Sequence, residues 1–254
     1  MLRGPCPDRG NALLRSCGGT ATPRRRILAG TMKAPSNLLA RLAPFALLVA
    51  LAACKDPAEG KPQATVSEAK PVPTIATPSA AAKSTNKIES LAFDEKVASV
   101  GFVGSKVTGS HEGKFGKLSG TLTLVDGKAD GSQVKVVIDE TSLEAEPEKL
   151  KMHLSGPDFF DVAKFPKATF ESTEIKPAAG GGDKYDVTGN LELHGVKKSI
   201  SFPATITVDG AAVTVAAEFD INRKDFGINF PGKADDLIRD KVLIKLSIKA
   251  PRRS

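Results

Sequence analysis

The sequence predicts an all-β domain over residues 91–250, an antiparallel barrel or sandwich carrying one short helix. Three observations lead there. Apolar and polar residues alternate along several segments, glycine-containing turn pairs punctuate those segments, and only one stretch reads as a helix.

The alternation is clearest late in the domain. Tyr185, Val187, Gly189, Leu191 and Leu193 interleave with Asp186, Thr188, Asn190 and Glu192. Ile200, Phe202, Ala204, Ile206 and Val208 interleave with Ser199, Ser201, Thr205 and Thr207. Val213, Val215, Ala217 and Phe219 continue the pattern, as do Val242, Ile244, Leu246 and Ile248. Side chains of a strand point alternately to its two faces, so each segment predicts a strand with one buried and one wet face. Asp126-Gly127, Asp130-Gly131, Gly180–Asp183, His194-Gly195 and Asp209-Gly210 are the turn signals between them. About eight short-linked strands fit an antiparallel barrel or sandwich. The helix spans Pro147 to Leu154, with proline near its start and Ser155-Gly156-Pro157 ending it.

An eight-stranded barrel is just wide enough to fill with side chains or to hold one small ligand. The predicted inner faces mix Phe with Gly, Ala, Val and Ile and bring no charge. A solid core and a hydrocarbon-binding cavity both fit that composition.

The segments before the domain have other work. The formal charge of +7 would point to an acidic partner. Residues 1–53, however, hold eight Lys or Arg and one acid, Asp8, which leaves 28 basic and 28 acidic residues in the remainder. The remainder is formally neutral and gives no ground for a nucleic-acid partner. Met32 to Ala53 has the basic start, apolar run and small-residue end of a secretory signal, and the run is too short to span a bilayer. Leu51-Ala52-Ala53-Cys54 matches a bacterial lipobox, which makes Cys54 the lipidated first residue of the mature chain. Cys6 and Cys17 lie in the leader, so no internal disulfide is available after cleavage. Residues 1–31 read as a gene-start extension before Met32. The expected location is the cell envelope, in the periplasm and anchored by lipid, with Lys55 pointing to the outer membrane. Residues 54–90, rich in Pro, Ala and Lys, are expected to form a disordered tether.

Several motifs resemble a known family. Phe102-Val103-Gly104-Ser105-Lys106-Val107, Gly113-Lys114-Phe115 and Leu118-Ser119-Gly120 resemble the opening strands of the YceI-like family. The block from His153 through Asp161, continuing as Lys164-Phe165-Pro166-Lys167-Ala168-Thr169-Phe170-Glu171-Ser172, is similar to its most recognisable stretch. Gly189 to Lys198, Asn222 to Ile228 and Val242 to Leu246 match its later signatures, with Lys197-Lys198 standing where Thr-Lys is commoner. The resemblance covers residues 91–250. It implies an eight-stranded antiparallel barrel of lipocalin type, with an apolar tunnel holding a polyisoprenoid, an isoprenoid quinone or a fatty-acid-like lipid.

The candidate tunnel or mouth residues are Phe102, Phe115, Phe159, Phe160, Phe165, Phe170, Leu191, Phe202, Phe219 and Phe226. No catalytic set is identified. There is no GxSxG turn, no GxGxxG and no Walker loop, and the acids are expected on wet faces. His111, His153 and His194 lack metal-ligand spacing, and local hydrogen-bonding or turn roles are expected for His153 and His194. Arg223 and Asp225 are expected to fix each other, with contact to a ligand head group as the alternative. No metal and no cofactor beyond a bound lipid is expected. The partners are the lipid and, through Cys54, a membrane; a homodimer is left open. The alternative function is an enzyme acting on an apolar substrate at the barrel mouth. One Tyr and no Trp argue against a transmembrane barrel, which needs aromatic girdles.

Overall fold

A computed structural model describes residues 56–73 and 87–252. The expected leader, the expected lipidation site Cys54 and the stretch 74–86 lie outside the described residues. The chain forms β1 (Thr65–Glu68), β2 (Ile88–Asp94), β3 (Ala98–Lys106), β4 (Gly109–Phe115), β5 (Leu118–Val125), β6 (Lys128–Asp139) and β7 (Leu143–Ala145). After the helix α1 (Glu148–Ser155) come β8 (Lys167–Pro177), β9 (Lys184–Leu193), β10 (Val196–Val208), β11 (Ala212–Asn222), β12 (Gly232–Lys233) and β13 (Asp236–Pro251). Two 3-10 turns, Glu140–Ser142 and Arg223–Phe226, extend β6 and β11.

Short bends divide three long runs: β2 leads into β3, β4 into β5, and β6 into β7. Joined across the bends, the segments make an eight-run antiparallel meander. β2 and β3 pair with β5 and β4, which pair with β6 and β7. The ladder continues through β8, β9, β10, β11 and β13. It returns from β13 to β3, with Leu243 opposite Val103. The predicted eight-stranded barrel is therefore present.

Two of the turn pairs, Asp126-Gly127 and His194-Gly195, have positive φ at both residues, as two-residue hairpins with right-handed strand twist require. At Asp209 the carboxylate accepts from the amides of Ala211 and Ala212 at 2.7 Å each. Asp130-Gly131 is a correction, because it lies inside β6 rather than between strands. There the register against β5 slips between Thr123 and Val125. A bulge can use a positive-φ glycine just as a turn does, and Gly131 has φ 71°.

The alternating direction of the runs gathers α1, residues 156–166, His194-Gly195 and the stretch from Arg223 to Asp235 at one end, the capped end. Leu154 is the buried residue of α1 and faces the barrel interior from there.

The expected tether is corrected over residues 56–73. β10 and β11 pair only between Thr205–Val208 and Val213–Ala216. Above that stretch β1 lies between them, with Thr65–Glu68 against Lys198–Ser201. Ala64 N donates to Asp220 O at 2.8 Å, and Asp220 N donates to Pro62 O at 3.0 Å. Lys70 N donates to Asn190 Oδ1 at 2.9 Å, and Asn190 Nδ2 returns a bond to Lys70 O at 2.6 Å. Ala58 covers Val103 and Leu243 on the outer face. Composition counts ordering entropy against such a segment, but paired backbone and buried Ala64 offset that cost. The barrel itself also begins earlier than residue 91, at Ile88 in β2.

Deleting residues 56–73 should expose the upper edges of β10 and β11. Thermal unfolding is expected to fall by roughly 5–10 °C, from a loss of about 2–3 kcal/mol. Sedimentation should show self-association through those edges. An unchanged midpoint and a monomer would show that the strap is dispensable.

Candidate functional site: an apolar cavity beneath the capped end

The inward-facing residues of the upper barrel enclose a cavity of about 180 Å³. Its wall draws on every run of the meander. Val136 and Ile138 come from β6, Leu193 from β9, Ile200 from β10 and Ile221 from β11, while Val242, Ile244 and Leu246 come from β13. Leu154, Phe159, Phe160 and Ile228 close it at the capped end.

Eight of the ten sequence-predicted residues line this cavity: Phe102, Phe115, Phe159, Phe160, Phe170, Leu191, Phe202 and Phe219. Phe102, Phe115 and Phe160 form a triangle with ring centroids 5.6–5.8 Å apart and tilted or edge-on planes, the arrangement that aromatic quadrupoles favour. Phe165 and Phe226 are corrected. Half-buried Phe165 lies edge-on to His194 at 5.0 Å and over Gly195, away from the cavity wall. Phe226 ends the 3-10 turn and is fully buried in packing beside the cavity.

A second chamber of about 30 Å³ lies further from the cap, lined by residues such as Leu124, Ile175 and Val213. Phe170 and Phe202 belong to the walls of both chambers. Phe202 stacks on Phe219 with centroids 4.0 Å apart and planes 12° apart, and Phe170 tilts against Phe202 at 5.7 Å. These rings form a partition across the barrel. Gly189 makes room for it, since a β-carbon there would overlap the Phe170 ring.

Two charged residues, Arg223 and Glu140, belong to the wall, although the alternation predicted inner faces without charge. Arg223, 4% exposed, donates to Ile228 O at 2.6 Å and to Arg239 O at 3.1 Å. Its ionic partner is Asp240 at 3.4 Å, which corrects the expected pairing with Asp225. Burial pulls the guanidinium below its usual pKa, and Asp240 works against that shift. Glu140 departs from the expectation that the acids lie on wet faces. It is fully buried and neither carboxylate oxygen has a hydrogen-bond partner. Loss of hydration pushes its pKa up to about 8. The fully buried Asp220 likewise has no hydrogen-bond partner for its carboxylate oxygens, but it has an opposite charge nearby, with Lys241 Nζ 3.0 Å from its Oδ2.

The histidines serve locally. His153 Nε2 is 3.0 Å from Asp158 Oδ2, with its ring edge-on to Phe159 and Phe230. His194 Nδ1 is 3.2 Å from Phe226 O, and its φ of 51° makes it a turn residue.

Comparison with known proteins places this geometry. A UPF0312 protein of Yersinia pestis is 38% identical over 122 residues, covering 46% of this chain and 62% of the relative. A UPF0312 protein of Pseudomonas putida is 35% identical over 126 residues, covering 47% and 65%. The chain thus spans rather less than two thirds of the length of these curated relatives. Among solved structures, BcnA of Burkholderia cenocepacia has a TM-score of 0.55 and 29% identity, covering 60% of this chain and 96% of its own. A polyisoprenoid binding domain from Saccharophagus degradans shares the fold, with a TM-score of 0.53, 19% identity, and coverage of 66% and 100%. The model of the YceI-like domain matches residues 91–250, so the strap at 56–73 lies outside the matched region. The match takes in more than half of the sequence, and the chain belongs to the YceI-like domain family.

Proposed function

We propose that this protein holds an apolar amphiphile in the barrel cavity at the cell envelope, as a carrier, store or scavenger. A polyisoprenoid, an isoprenoid quinone or a fatty-acid-like lipid has the required chemistry. The observation that carries this reading is the cavity itself: an almost wholly apolar void where a packed core would have been the simpler outcome. Each methylene buried there contributes about 0.8 kcal/mol, so a hydrocarbon chain needs no charged clamp. The Saccharophagus degradans neighbour, a polyisoprenoid binding domain, agrees with that chemistry.

Ligand pockets commonly measure ~300–1,000 Å³. A cavity of about 180 Å³ takes only part of a long chain. The rest has to pass the aromatic partition or emerge through the cap.

Lipidated Cys54 would tie the protein to a membrane. Asp56, two residues later, is held at the capped end by Ser105 Oγ at 3.3 Å and Arg239 Nη1 at 3.3 Å. Three exposed apolar residues share that end: Val107 and Leu237, bridged by a backbone bond of 3.2 Å, and Met152 on α1. An anchor at Cys54 would therefore set the cap against the bilayer, and a lipid could move between the two without crossing water.

Native mass spectrometry with lipid extraction, on protein purified from its own host, should reveal a stoichiometric isoprenoid or acyl species. A bare protein mass with no uptake of added quinone or fatty acid would sink the carrier reading. Cys54→Ser should move the protein from the membrane to the soluble fraction, and retention of the variant would refute the anchor. Phe202→Ala should join the two chambers and raise affinity for chains longer than those the wild type prefers, by roughly tenfold for two added methylenes. An unaltered chain-length profile would mean that the ring is no barrier.

A further inference from the structure

Glu140 is costly where it stands. A buried carboxyl without a partner loses its hydration and gains nothing in return. The fold nonetheless holds it there, at the start of a 3-10 turn capped by Asp139, whose side chain accepts from Thr141 N at 3.1 Å. The Glu140 amide is bonded to Pro166 O at 2.9 Å, which fixes the backbone and leaves only the carboxyl unsatisfied. Arg223, the other ionisable residue in the wall, directs its donors to Ile228 O, Arg239 O and Asp240. Glu140, among the residues lining the cavity, therefore carries a carboxyl with no partner in the protein, its oxygens covered by the apolar side chains around them.

We propose that Glu140 is the polar recognition point of the cavity, hydrogen-bonding an uncharged oxygen head group, a hydroxyl or carbonyl, and excluding the phosphorylated form of the same lipid. This rests on the lipid-holding reading above and narrows its ligand class. A carboxylic acid can donate to a carbonyl and can both donate to and accept from a hydroxyl. A phosphate group beside it would bring unscreened negative charge into a dry cavity. A cationic head would meet Arg223 in the same wall. An uncharged head satisfies the carboxyl without either penalty.

Binding of three C20 probes to the full chain tests this: a prenyl alcohol, its diphosphate, and the parent hydrocarbon. The wild type should bind the alcohol at least tenfold more tightly than either of the others. Glu140→Leu should abolish the preference for alcohol over hydrocarbon while still binding hydrocarbon, and Glu140→Gln should keep it. Equal binding of alcohol and hydrocarbon by the wild type, or tighter binding of the diphosphate, would overturn the recognition role while leaving the lipid-holding reading intact. Failure of all three probes to bind would overturn both.

Stability against pH supplies a readout independent of any ligand. The folded carboxyl keeps its proton to about pH 8, whereas the unfolded one loses it near 4.5. Between those values the unfolded state binds fewer protons, so stability falls as pH rises. The wild type should show that fall relative to Glu140→Gln, and parallel curves for the two proteins would refute a neutral buried carboxyl.

Discussion

The ladder between β3 and β13 is the constraint on which the rest of the molecule depends. Without it the meander is an open sheet with two edges; with it the sheet closes and acquires an inside. Closure requires the first run to bend, so that β2 serves β5 at one end while β3 serves β13 at the other. Once the ring is shut, its circumference sets the width of the interior. Side chains pointing inward can fill that width only where they are large enough or lean across it. Near the middle Phe170, Phe202 and Phe219 do so, and nearer the cap the wall leaves the void.

Closure is nevertheless incomplete along one seam. β10 and β11 separate above their short ladder, and the strap fills the gap by offering its backbone to both. This arrangement accounts for Asn190, an amide almost fully buried on β9 that would otherwise lack partners. It also accounts for Val103 and Leu243, apolar residues on the outer face that Ala58 keeps from water.

Much of this was legible in the sequence. Period-2 alternation identified β9, β10, β11 and β13 and their inward faces because one face of each meets the core. Phe202 and Phe219 fall on those same faces, whereas Phe102, Phe115, Phe159, Phe160 and Phe170 were legible through the motifs that carry them. Glu140 was missed although the signal was present: Val134, Val136 and Ile138 are inward residues two apart, and Glu140 continues the series beyond the strand end. Residue chemistry outweighed parity in that reading. The strap was missed because its strand is four residues long and lies among prolines. Its order comes from backbone groups on distant strands, which local composition does not encode. Phe165 and Phe226 were assigned to the lining by their motifs, but they lie at the cap, where alternation no longer governs direction.

The strap also has a consequence for distance. A free tether over residues 55–90 could stretch to roughly 120 Å, enough to carry a domain well away from its anchor. Because Asp56 is already fixed to the barrel, the lipid proposed for Cys54 would have at most about 7 Å of chain before the folded body begins. A protein anchored in the way proposed, on so short a leash, would not search the space beyond its own bilayer surface. Exchange of the proposed lipid cargo with another body would then have to take place at that surface, on the arrival of a donor or acceptor, at a rate that follows lateral diffusion in the membrane.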